Sequence, residues 1–88
     1  MLIVSQDRMR VINCDNVTRI HIDEYNAESY IQCDFPNGSY EDLGIYETEQ
    51  RAVEVLENII DAFAPRKPQN LTELANYRQM AKYVMPEE

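Results

Sequence analysis

The chain has 88 residues, 44% of them hydrophobic and 27% charged, and a formal net charge of −8. That composition describes one small globular domain, too apolar for disorder and without an apolar run near the roughly 20 residues that span a bilayer. The charge sits in the middle: residues 23–57 carry ten acids against Arg51 alone, while 1–22 carry three Arg against two Asp and 58–88 balance four acids with four bases. Nucleic-acid backbone and anionic membrane would both be repelled, so neither is expected as a direct partner.

The opening Met1-Leu2-Ile3-Val4-Ser5-Gln6 has neither the basic start nor the apolar length of a signal peptide, and a cytoplasmic location is the expectation. On that expectation the triplets at Asn16, Asn37 and Asn70 read as turns and caps, and not as glycosylation sites. Leu2-Ile3-Val4 and Val11-Ile12 read as short strands joined near Asp7-Arg8. Both are apolar on either side, which predicts a sheet covered on both faces there. Asp15-Asn16 turns the chain onward.

From Val17 to Tyr25 the pattern alternates, with Thr18, Ile20 and Ile22 on one face and Arg19, His21 and Asp23 on the other. Tyr30 to Phe35 alternates too, with Ile31, Cys33 and Phe35 together. A two-residue turn at Asn26-Ala27 sets Ile22 opposite Ile31, Ile20 opposite Cys33, and Arg19 opposite Asp34, a favourable charge pair. The next connection, Phe35-Pro36-Asn37-Gly38-Ser39, fits a type I turn with a glycine bulge. Pro36 takes the position its ring favours, and Gly38 takes the left-handed one. Carried along the following strand, this register places Leu43 opposite Ile31 and Ile45 opposite Ser29.

Thr48 then caps a helix in which Ala52, Val53, Leu56, Ile59, Ile60 and Phe63 form an apolar stripe. Arg51, Glu54, Glu57, Asn58 and Asp61 form its outer face. Residues 65–69 contain two prolines and read as a linker. Asn70-Leu71-Thr72-Glu73 resembles a capping box, opening a C-terminal helix over 70–85. The expected fold is α+β: an antiparallel meander sheet of about five strands with one long helix packed on one face. Residues 1–64 form that core, and the second, C-terminal helix belongs to the same domain.

Three blocks carry a resemblance: Ile3-Val4-Ser5-Gln6, Ile12-Asn13-Cys14-Asp15-Asn16-Val17, and Leu43-Gly44-Ile45-Tyr46-Glu47-Thr48-Glu49-Gln50-Arg51-Ala52. Together they resemble a family of small proteins of low-GC Gram-positive bacteria and their prophages, which covers most of residues 1–63. Cys14 stands where that family would lead one to expect an aromatic. The resemblance implies a fold and a genomic setting, and brings no activity with it.

Chemistry-bearing motifs are sparse. His21 and Asp23, two residues apart on a strand, form a base and an orienting acid with no nucleophile placed beside them. The acids are dispersed, there is no zinc spacing, and Gly38 and Gly44 are too few for a phosphate loop. No cofactor, metal, small-molecule substrate or catalytic residue is therefore expected. Cys14 and Cys33 are too few for a disulfide framework, and an intervening strand should keep them apart.

One constellation stands out. The register turns Tyr25, Tyr30, Tyr40 and Tyr46 to the face away from the helix, together with Asp23, Asp34 and Asp42. Tyrosine supplies large contact area at low entropic cost, so this face is a candidate for binding a protein partner or for self-association as a dimer. Two other readings compete. In one, the C-terminal helix folds over the tyrosines. In the other, the acids of residues 23–57 imitate the phosphates of DNA in an inhibitor protein.

Overall fold

The computed structural model describes residues 1–63 and 82–88. Its strands are β1 (Leu2–Val4), β2 (Val11–Asn13), β3 (Arg19–Tyr25), β4 (Glu28–Asp34), β5 (Tyr40–Tyr46) and β6 (Lys82–Val84), with helix α1 (Glu49–Phe63) between β5 and β6. They form two three-stranded sheets in place of the expected five-strand meander, ordered β2-β1-β6 and β3-β4-β5. The division falls after β2, where Cys14–Asn16 make a single 3-10 turn. The Asn13 side chain accepts the Asp15 N–H at 3.1 Å and ends the strand there. The chain thus leaves the first sheet before β3 begins.

In the first sheet β1 and β2 are antiparallel, with Ile3 opposite Ile12, and β6 joins the free side of β1 in parallel, with Val4 opposite Val84. Residues 82–84 are therefore strand and not the end of the expected helix, whose remainder lies outside the described residues, as does the linker. Ile3, Ile12 and Met85 are buried, but Leu2, Val11 and Val84 stay exposed, so the outer face of this sheet is not covered as expected.

The second sheet begins as predicted. Asn26 and Ala27 both have positive φ, the geometry of a two-residue type I′ turn. β3 and β4 pair as Arg19↔Asp34, Ile20↔Cys33 and Ile22↔Ile31. At the next turn Gly38 has φ +87°, its N–H bonds the Phe35 carbonyl, and the Phe35 N–H bonds the Ser39 carbonyl. Pairing then runs Asp34↔Tyr40, Cys33↔Glu41 and Gln32↔Asp42, in the expected register.

Beyond Gln32 the register slips by one residue. Ile31 faces Gly44 and Ser29 faces Tyr46, leaving Leu43 as an extra residue in a bulge. The slip reverses which side chains of β5 point inward. Leu43 and Tyr46 lie an odd number of positions apart, and an unbroken strand cannot turn both to one face. The bulge buries both and leaves Ile45 outward, so the placement of Tyr46 on the outer face is corrected: Tyr46 is a core residue at 2% exposure. Its ring lies over Gly44, where an added Cβ would sit 2.9 Å from the Tyr46 Oη.

Helix α1 packs across the inner face of β3-β4-β5 and touches β6. Thr48 caps it as expected, its Oγ1 accepting the Arg51 N–H at 3.1 Å. The buried positions are Ala52, Val55 and Ile59. Val55, outside the predicted stripe, is 0% exposed, whereas Val53 and Ile60 within it are 38% and 59% exposed. A three-stranded sheet covers a narrower arc of helix than the six-residue stripe supposed. The small Ala52 and Val55 are fully buried, and Leu56 and Phe63 lie half-buried at the margin.

The two sheets share one core of Ile3, Ile12, Ile31, Cys33, Leu43, Tyr46, Ala52, Val55, Ile59 and Met85. Gln6 joins them. Its backbone N–H bonds the Leu43 carbonyl, while its side-chain amide accepts the Ile45 N–H and donates to the carbonyls of Ile45 and Glu87. The Tyr46 hydroxyl donates to the Pro86 carbonyl at 2.8 Å, and Arg8 donates to that of Met85. These bonds tether the C-terminal segment beside β1.

Candidate interaction face

The outer face of β3-β4-β5 carries alternate residues of each strand, because a strand's side chains point to its two faces in turn. β3 contributes Arg19, His21, Asp23 and Tyr25. β4 contributes Tyr30, Gln32 and Asp34, and β5 contributes Tyr40, Asp42 and, past the bulge, Ile45. Of the predicted residues the structure brings together Tyr25, Tyr30, Tyr40, Asp23, Asp34 and Asp42, and removes Tyr46. Ile45 takes its place, an exposed aliphatic that the unbulged register had turned inward.

The face is ordered by its own contacts. Tyr25 and Tyr30 meet edge-to-face with ring centroids 5.4 Å apart. The Tyr25 hydroxyl donates to Asp23 at 3.0 Å. That bond, and the Asp23 charge, raise the Tyr25 pKa above its ordinary value. Gln32 is buried at the centre, and its amide donates to Asp42 at 2.8 Å. Arg19 donates to Asp34 at 2.8 Å, and His21 Nε2 lies 3.2 Å from the other Asp34 oxygen. The guanidinium first, then the imidazole, hold the Asp34 carboxyl below the usual carboxylate range.

His21 therefore partners Asp34 across the strands and not Asp23 along its own. No hydroxyl or thiol bonds His21 among the described residues. Among those same residues no three His, Cys, Asp or Glu side chains cluster as metal ligands, and no helix is long and apolar enough to cross a membrane. Cys14 and Cys33 are free, and burial pushes both thiols up in pKa. The strand order expected to separate them does not occur, since β2 and β3 lie in different sheets.

Three further surfaces escaped sequence reasoning. The outer side of the first sheet aligns Val11, Val4 and Val84 in one row, with Leu2 exposed beside them. The two-sided apolar character of β1 and β2 was its signal. A groove of about 680 Å³ lies between Ile45, Tyr46, Arg51 and Glu87. An apolar one of about 380 Å³ runs between the start of β3 and the second half of α1, lined by Val17, Ile20, Leu56, Ile60 and Phe63. Both depend on the contact between helix and sheet, which no local pattern encodes.

No protein-family model matches the chain, and no curated protein or solved structure matches it.

Proposed function

We propose that this chain is a non-catalytic interaction module that binds a protein partner through the outer face of β3-β4-β5. The observation that carries the reading is the exposure of Tyr40 and Tyr25, 61% and 50%, on a sheet face whose polar groups are already fixed by hydrogen bonds to one another. An interface gains most where large rings are presented on a rigid support, because little side-chain freedom remains to be lost on binding. Ile45 adds apolar area beside them. Asp34 is paired with Arg19 and His21, and Asp23 and Asp42 are each engaged by neighbouring side chains. The three carboxylates of this face, committed in this way, imitate free phosphates poorly, which is why we set second the DNA-mimic reading, which draws on all the acids of residues 23–57. A prophage setting and a cytoplasmic location accompany the proposal.

The test is the double change Tyr25→Ser with Tyr40→Ser. Both rings are exposed, so unfolding should remain cooperative with the midpoint little moved. Binding of the protein captured by the wild-type chain should fall at least tenfold, as expected when interface anchors are removed. Undiminished binding by a folded double variant would refute this face. Steep loss of wild-type affinity with salt, unaffected by the tyrosine changes, would favour mimicry.

A further inference from the structure

The two outer edges of the β3-β4-β5 sheet are treated differently. Along β5 four outward backbone groups are occupied: the Leu43 and Ile45 carbonyls and the Ile45 N–H by Gln6, and the Asp42 carbonyl by Arg10 at 2.8 Å. Along β3 only one is occupied among the described residues. The two-residue turn closes on the Tyr25–Glu28 pair, so the odd-numbered residues of β3 bond β4 and the even-numbered ones face outward. The Asp23 side chain takes the Glu24 N–H at 2.9 Å. Ile20 and Ile22 are left presenting their N–H and C=O groups to no strand or side chain among the described residues.

We infer that the open edge of β3 pairs with β3 of a second copy, antiparallel about a two-fold axis at His21, to make a six-stranded sheet. The occupant follows from complementarity. In this register Ile20 faces Ile22 of the second copy and Arg19 faces its Asp23, each pair occurring twice. The four backbone bonds formed use only groups that have no partner among the described residues. Moving the axis to Ile22 would set Ile20 against Glu24 and require the Glu24 N–H, which Asp23 already holds. Antiparallel strands favour opposite charges and like aliphatics directly across from each other. A second feature agrees: Ile20 lies on the helix side of β3 beside the groove lined by Leu56, Ile60 and Phe63. The isoleucines of an added strand would continue the sheet at the mouth of that groove and cover apolar surface that the described residues leave open. The inference does not rest on the tyrosine face and stands if that face binds nothing.

Sedimentation of the wild-type chain over a concentration series should give a reversible monomer–dimer equilibrium. Arg19→Asp should weaken the dimer about tenfold or more, and Arg19→Asp with Asp23→Arg should recover a large part of that loss, because the pairs between the two copies are re-formed with their charges exchanged while the Arg19–Asp34 bond within each chain stays lost. A non-hydrogen-bonded antiparallel pair holds its Cα atoms about 4.5 Å apart, within disulfide reach. His21→Cys, in a chain whose native cysteines are replaced by alanine, should therefore form a linked dimer under mild oxidation far faster than Arg19→Cys in the same background. A wild-type chain monomeric at every concentration overturns the inference. So does a folded charge-exchanged variant that fails to recover, or equal linking rates for the two cysteine variants.

Discussion

Replacing Gly44 by alanine tests the least expected feature of the fold. Gly44 is inside a strand and has no positive φ, so on backbone grounds alanine should be welcome. Losing the glycine's extra freedom in the unfolded chain would by itself stabilise by about 0.4–1 kcal/mol. The structure reverses that sign. A Cβ at this position would lie 2.9 Å from the Tyr46 Oη and 3.0 Å from its Cε2. The ring cannot swing aside cheaply, because it is 2% exposed and its hydroxyl is held by the Pro86 carbonyl at 2.8 Å. Overpacking of this kind typically costs about 1–3 kcal/mol, so Gly44→Ala should be destabilising overall. Urea titration would show a lower midpoint at unchanged slope. In a Tyr46→Leu background the same change should lose most of its cost, since the atoms it meets are gone. A stabilising effect of Gly44→Ala in the otherwise native chain would refute the buried, fixed Tyr46 ring, because it would mean that the ring can leave its place over Gly44.

Burial pushes the Tyr46 phenol from its ordinary 10 up to about 12. Its folded value lies above its unfolded one, so its contribution is complete below pH 10 and lost as pH rises from 10 to 12, a swing of order 2 kcal/mol. Alkaline unfolding curves of the wild type and Tyr46→Phe should converge over that interval, and parallel curves would argue against burial of the hydroxyl. On helix α1, Val55→Ala should cost about 2 kcal/mol and Val53→Ala under about 0.5, as buried and exposed truncations do. A lower midpoint in denaturant for Val53→Ala than for Val55→Ala would restore the orientation predicted from the stripe.

What the sequence determined by itself was local. Period-two alternation and the Asn26-Ala27 turn set the β3–β4 register, and Pro36-Asn37-Gly38 set the first half of β4–β5. Thr48 set the start of the helix. In each case the cause lies within a few residues, in side-chain direction or in the φ that a turn requires. Most of the candidate face was legible for the same reason: six of its seven predicted residues lie on β3, on β4 or on β5 before the bulge, and only Tyr46 lies beyond it. The tertiary structure decided whatever required two distant segments to compete for one space. Tyr46 left the outer face because burying it with Leu43 needed a bulge, and the bulge needed a glycine beneath the ring. The helix turned Val55 inward and left Val53 out because only three strands lie under it. Residues 82–84 became a strand because β1 had an unpaired edge and Met85 a place in the core, more than 80 residues from where the chain began. Hydrogen bonds across that separation leave no mark in the local pattern of either segment.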